Sequence, residues 1–216
     1  MQIIQGLLLE PVGCLAEFPS APFHEIAVGL FGRKRKASAS GSRSYWHLLN
    51  LMGESSSPWA EALEIEAVNA ASVYEDIRPA LAELKAMGVH LSIASSLSDA
   101  AIARFLKKNS LGEFFDGVWN RDNAGGVKAI PLARAVRGAS LQPEHVMFLT
   151  DTVEGIKAAR AAGVHPVLMM NDPDEARRLA MHNPAGGVVS LHEIPDFIRL
   201  IAAQNKRGQA VQGDLR

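Results

Sequence analysis

Several short apolar runs in this chain end in side chains that could act together. These are Glu10, the Ser95-Ser96 pair, Lys128 beyond the run that ends at Trp119, and Asp151 followed closely by Thr152 and Glu154. Asp151 is the most telling. Val146 to Thr150 has the composition of a buried strand, about Glu154 to Ala162 that of a helix, Gly163 is a stop, and Val164 to Met170 is a further apolar strand. An open parallel sheet binds ligands outside the carboxyl ends of its strands, so an acid delivered there suits a small-ligand or metal site. A carboxylate at the start of a helix also serves as a plain N-cap, and the stretch by itself accommodates both readings.

The elements that must position these groups follow a strand and helix rhythm. Ile3 to Leu9 is a short buried strand closed by Pro11 and Gly13. Arg78-Pro79 opens a helix striped by Leu81, Leu84 and Met87 and stopped at Gly88. Val89 to Ala94 is the next strand, and Ser98-Asp99 caps a helix bearing Ile102, Phe105 and Leu106. Gly117 to Trp119 is a short strand, after which Asn120 to Gly126 reads as a loop leading through Val127-Lys128 into a helix that reaches Val136. Asp172-Pro173 opens another helix, Gly187 to Val189 is a last strand, and Phe197 to Ile201 marks the final helix. The expected fold is α/β, a Rossmann-like three-layer sandwich around a parallel sheet with right-handed crossovers.

Between Ala16 and Tyr74 the rhythm breaks. Helical pieces at Phe23 to Phe31, Tyr45 to Met52 and Trp59 to Ala71 are separated by loops rich in Ser, Gly and Pro, with no strand evident. Residues 1–15 and 75–203 are therefore expected to form the core, 16–74 a small helical insertion, and 204–216 a loose polar tail. Within the insertion, Arg33-Lys34-Arg35-Lys36 precedes a flexible Ser and Gly stretch. Such a run is usually a solvated loop; it could also meet a substrate phosphate or a nucleic-acid backbone, or be modified at Ser38.

The bulk properties exclude several classes. With 216 residues and 48% apolar side chains, the chain can build one sizeable core. A net charge of -1 gives no pull toward nucleic acid or anionic membrane, and no apolar run approaches a membrane span. Cys14 is the only cysteine, so no internal disulfide forms and a reducing, cytoplasmic setting is expected. The stretch Leu7 to Cys14 has a lipoprotein-like look, but it lacks a basic region before it and Glu10 interrupts it, so it is set aside as a signal peptide. The seven histidines are scattered without metal-ligand spacing.

Four polar strand ends in this order resemble the haloacid dehalogenase superfamily, which consists mostly of phosphatases. Within it, Phe148-Leu-Thr-Asp-Thr-Val-Glu154, Ile93-Ala-Ser-Ser96 and Glu113-Phe-Phe-Asp116 look most like enolase-phosphatase and phosphoglycolate-phosphatase-like members. The resemblance runs from Ile3 to about Ile201, and the helical insertion corresponds to the family's small cap. It implies a pocket for a small phosphorylated molecule. It further implies an aspartate nucleophile on the first strand, a second acid two residues on that protonates the leaving group, a phosphate-holding Ser and Lys, and a fourth-motif acid on Mg²⁺. By position, Ser95 with Ser96 matches the second motif, Lys128 the third and Asp151 the fourth, while Arg33 becomes a candidate substrate contact. The implied metal ligands are Glu10, the Val12 carbonyl, Asp151 and Glu154.

The first motif departs from that pattern. Glu10 stands where the nucleophile belongs, Val12 where the acid belongs, and Cys14 where Thr is usual. Glutamate carries its carboxylate about 1.5 Å further out. A displacement of roughly 1 Å can cost about a hundredfold in rate, and loss of general acid catalysis roughly another 10² to 10⁴. In the fourth motif, enolase-phosphatase has its second acid four residues after the first; here that position is Gly155, and Glu154 comes one earlier. The expectation is a phosphatase-type pocket with impaired catalysis and a weakened Mg²⁺ site; the alternative is an active Mg²⁺-dependent phosphomonoester hydrolase using Glu10. Taken singly, Ser95 could be a turn hydroxyl, Lys128 a surface charge and Glu10 a strand terminus. Asp172-Pro-Asp174 repeats the acid-x-acid spacing but follows the wrong strand and fits a helix start.

Overall fold

The computed structural model describes residues 4–31, 41–52, 58–171 and 173–213. The first strand, β1 (Gly6–Leu9), is buried along its whole length, which explains its unbroken apolar sequence. It is followed by a tight helical turn, α1 (Pro11–Cys14), in which Val12 and Gly13 leave helical geometry. A two-residue strand, β2 (Ala16–Glu17), leads into three helices, α2 (Ser20–Phe31), α3 (Gly41–Met52) and α4 (Pro58–Ala70). The chain returns through β3 (Ser72–Val73), antiparallel to β2 with Ala16 opposite Val73. These two strands are a correction to the sequence reading of an insertion without strands. Strands of two residues show no alternation, and their pairing is fixed by the insertion leaving and rejoining the core at adjacent points.

The rest alternates: α5 (Ile77–Ala86), β4 (His90–Ala94), α6 (Asp99–Asn109), β5 (Gly117–Trp119), α7 (Arg121–Ala124), α8 (Ala129–Gly138), β6 (Val146–Thr150), α9 (Val153–Ala161), β7 (His165–Met169), α10 (Pro173–Ala180), β8 (Gly186–Val188) and α11 (Ile194–Gly213). As expected, Ser98 caps α6 by accepting from the Ala101 N–H, and Gly163, at φ +77, follows α9. The segment expected as a loop after Trp119 instead forms α7. Asn120 accepts from the N–H groups of Asp122 and Asn123, and the Asn123 side chain accepts from the Asn120 N–H, a reciprocal cap that nucleates the short helix. Helix α11 continues to Gly213, through residues whose polarity suggested a tail. Gln, Lys, Arg and Ala are good helix formers, and a helix already nucleated by packing propagates through them.

The six long-range strands form one parallel sheet in the order β5-β4-β1-β6-β7-β8. Flanking helices complete an α/β sandwich, with α5 against α11 and α8 against α9. From β1 the chain steps to β4 on one side and later to β6 on the other, so the connections diverge at the carboxyl end of β1. Leu9 sits opposite Ile93 and Leu149. This register sets Glu10, Ser95 and Asp151 at one edge. The helical insertion shares the main core: Phe18 stacks on Phe23 at 6.3 Å and on Phe105 of α6 at 5.8 Å, and Phe23 meets Tyr45 at 5.3 Å. No helix among the described residues is long and apolar enough to cross a membrane.

Candidate active site

The site is built on the divergence beside β1. Glu10 leaves the strand into the interior and is 2% exposed. Its Oε1 accepts a 2.6 Å hydrogen bond from Ser95 Oγ at the end of β4. Burial drives its carboxyl from an ordinary value of 4.5 to about 8; hydrogen bonds from Ser95 and from the backbone at Val12 and Ser96 oppose the shift, and the nearby Asp151 adds to it. Ser95 Oγ also accepts from the Leu97 N–H at 3.1 Å and lies 3.5 Å from the Tyr45 hydroxyl. A hydroxyl has one proton and two lone pairs, so with the proton given to Glu10, Tyr45 must be the donor in that contact.

Asp151 follows β6 and accepts from Asn171 Nδ2 at 3.4 Å; the same amide donates to the Gly13 carbonyl at 2.8 Å. Asn171, at the end of β7, thus ties the first loop to the fourth-motif acid. Gly13 takes φ +79, and a Cβ there would stand 2.1 Å from Ser42 Oγ and 2.3 Å from Asp151 Oδ2. Only glycine allows this approach of α3 and Asp151 to the loop. Cys14 is buried with its thiol directed at the Leu149 carbonyl, 3.4 Å away; burial pushes the thiol up, and the neighbouring Asp151 and Glu10 push the same way.

Of the other residues singled out in the sequence, Val12, whose side chain has no acidic proton, is fully buried in the apolar core. Ser96 Oγ accepts from the backbone N–H of Lys128 at 2.8 Å, and Lys128 itself adopts φ +62. Among the described residues the Lys128 ammonium makes no hydrogen bond or ion pair, so it is tied to the site through its backbone rather than its charge. Glu154 sits in the first turn of α9, whose N-cap is Thr152 rather than Asp151: Thr152 Oγ1 accepts from the Gly155 N–H at 3.1 Å. Arg33, with the rest of the Arg33 to Lys36 run and Ser38, lies outside the described residues.

The implied Mg²⁺ requires anionic oxygens in near-octahedral order. The donors do not fit it well. Glu10 is turned into the interior onto the Ser95 hydroxyl, and burial pushes its carboxyl up to about 8, which disfavours the anionic form a metal needs. Among the described residues, no three His, Cys, Asp or Glu side chains gather in a metal-binding group.

Sequence reading missed a second polar cluster beside the first. Glu64 of α4 is 1% exposed and pairs with Arg121 of α7 through both carboxylate oxygens, Oε2 at 3.0 Å and Oε1 closer still. Arg121 also donates to the Ser96 carbonyl at 3.1 Å, and Glu64 accepts from the Ser98 N–H at 3.1 Å. The insertion is therefore fastened to the loop that carries Ser95 and Ser96. The capping potential of Asn120 was the one readable signal near Arg121.

A doubly wound α/β sheet with carboxylates and hydroxyls gathered at its switch point is the architecture of ligand-binding α/β proteins. The sequence profile of the haloacid dehalogenase-like hydrolases matches residues 47–169, more than half of the chain, and the chain belongs to that family. It is 27% identical over 124 residues to a phosphoglycolate phosphatase of Pseudomonas savastanoi, covering 56% of this chain and 46% of that protein. It is 32% identical over 117 residues to an enolase-phosphatase of Frankia alni, covering 52% of this chain and 49% of that protein. The matches thus span about half the length of these relatives. In solved structures the fold resembles a haloacid dehalogenase-like hydrolase of Streptococcus pneumoniae (TM-score 0.67, 17% identity, covering 91% of this chain and 99% of that one). It also resembles CbbY of Rhodobacter sphaeroides in complex with phosphate (TM-score 0.66, 18% identity, covering 89% and 96%).

Proposed function

We propose that this protein carries a phosphatase-type pocket for a small phosphorylated molecule, with hydrolysis impaired at the first motif. The observation that carries this reading is the fate of the two first-motif positions. Glu10 is a buried carboxyl engaged by Ser95 at 2.6 Å, and Val12 points an apolar side chain into the core. A nucleophile must reach the phosphorus in line, and a hydrogen-bonded, buried carboxyl has to give up its partners first. Without an acid at position 12, the leaving alkoxide departs unprotonated. Ser95, Ser96 and Lys128 are assigned to the phosphoryl group and Asp151 to the supporting acid. The helices α2 to α4 act as the cap that selects the substrate, in a reducing cytoplasmic setting. Any Mg²⁺ at Glu10, the Val12 carbonyl, Asp151 and Glu154 is held weakly, because the donor set fits it poorly.

The deciding experiment is Mg²⁺-dependent phosphate release from a panel of phosphomonoesters, comparing the protein with Glu10→Ala to expose any contaminating phosphatase. The impaired reading expects both at background, with turnover emerging in Glu10→Asp combined with Val12→Asp. Turnover by the natural sequence that disappears in Glu10→Ala establishes instead a working hydrolase with Glu10 as nucleophile.

A further inference from the structure

At the switch point the Ser95 hydroxyl addresses Glu10. Ser95 Oγ, at 2.6 Å, gives its proton to the carboxyl of Glu10. The turn that presents it is braced from behind, since Lys128 N–H donates to Ser96 Oγ at 2.8 Å and Arg121 Nη1 donates to the Ser96 carbonyl at 3.1 Å. The Leu97 N–H, at 3.1 Å, holds Ser95 in the orientation that aims its proton at Glu10. A hydroxyl held at a strand end with its proton turned toward a carboxyl oxygen suits an oxyanion of any origin. An aspartate at position 10 would end about 1.5 Å short of this hydroxyl. The longer glutamate reaches it, and is 2% exposed.

We infer that the Glu10 carboxyl is a built-in occupant of an oxyanion cradle at Ser95, so that phosphate binds only when this side chain withdraws. The inference rests on the phosphate-pocket reading above and adds to it what blocks the pocket. Tyr45 of α3 is fully buried with its hydroxyl 3.5 Å from Ser95 Oγ, on the insertion side.

The test uses the full chain and inorganic phosphate, with binding read by isothermal titration calorimetry and folding by cooperative thermal unfolding. Glu10→Ala vacates the cradle and is expected to bind phosphate about tenfold or more tightly than the natural protein, the scale set by a donor released from a carboxyl partner. Glu10→Gln keeps the length and an acceptor oxygen, so it is expected to stay blocked. Equal affinity in the natural protein and Glu10→Ala overturns the occupancy while leaving the phosphate pocket standing. Glu10→Gln binding as tightly as Glu10→Ala overturns it in favour of simple charge repulsion. Absence of binding in all folded variants sinks the phosphate-pocket reading and the inference with it. If Glu10→Ala lacks a cooperative transition, Glu10→Asp replaces it in the same comparison, its carboxylate ending short of the cradle.

Discussion

Glu10 and Glu64 are both glutamates withdrawn from water beside the same turn, exposed 2% and 1%, yet they are held in opposite ways. Burial pushes both carboxyls up. At Glu64 the answer is a cation: Arg121 meets both oxygens in the forked geometry only a guanidinium offers, which opposes the effect of burial. At Glu10 the answer is neutral donors and a retained proton, and its charged neighbour Asp151 has the wrong sign. The difference separates fastening from chemistry. A charge paired with an arginine is fixed and holds α4 to the core, whereas a carboxyl with no counter-ion among the described residues can exchange its proton and its partners. Tyr45 lies in the field of both, its hydroxyl raised first by burial and then by Glu10, with Glu64 also contributing.

The largest effect comes from breaking the fastened side. Arg121→Met leaves the Glu64 carboxylate buried with Ser98 as its remaining partner and no cation, and is expected to cost about 3–5 kcal/mol in urea unfolding. Adding Glu64→Leu should restore most of the loss, since a well-packed apolar pair is often as stable as a buried ion pair. A double variant no more stable than Arg121→Met would mean that the salt bridge is not what ties α4 down.

The second test sharpens the contrast through pH. With a folded value of about 8 against an ordinary 4.5, Glu10 binds its proton more strongly in the native protein than in the unfolded chain. Its contribution to stability is therefore complete below about pH 4.5 and is lost as pH rises through about 8. Between about pH 5.5 and 8, roughly 2.5 units at 1.36 kcal/mol each, the natural protein should lose about 3 kcal/mol that Glu10→Gln does not. Parallel pH profiles of the two proteins, measured in chelator, would show that Glu10 is ionised in the native state.

Much of this arrangement was legible in the sequence because the groups stand at ends of apolar runs. Leu9, Ala94 and Thr150 close strands, and the parallel rhythm alone places Glu10, Ser95 and Asp151 at one edge. The Ser98 cap and the Gly163 stop were readable for the same local reasons. Glu64 was not, because it lies on α4 near Glu61 and Glu66, where a solvated face is the natural expectation, and its partner is 57 positions away. Nor could spacing reveal that the Lys128 link is made by its backbone, since it depends on a positive φ and on a partner 32 positions away. Where a residue's role depends on its own element, the sequence announces it; where it depends on a distant partner, the fold has to bring the two together first.

The smallest expected effect probes the point where the two carboxylates share a neighbour. Tyr45→Phe removes a hydroxyl 3.5 Å from Ser95 Oγ, the outer limit of a hydrogen bond, and keeps the ring that packs on Phe23. Ser95 retains its donation to Glu10 and its acceptance from Leu97, so one lone pair is left unfilled. The loss should be about 0.5 kcal/mol in thermal or urea unfolding, with the pH profile of stability unchanged in shape. A cost above about 2 kcal/mol would mean that the hydroxyl supports Glu10 more directly than the Ser95 contact implies. In that case the proton held at Glu10 belongs to a network of three side chains, and the contrast with the single ion pair at Glu64 becomes one of shared against paired charge.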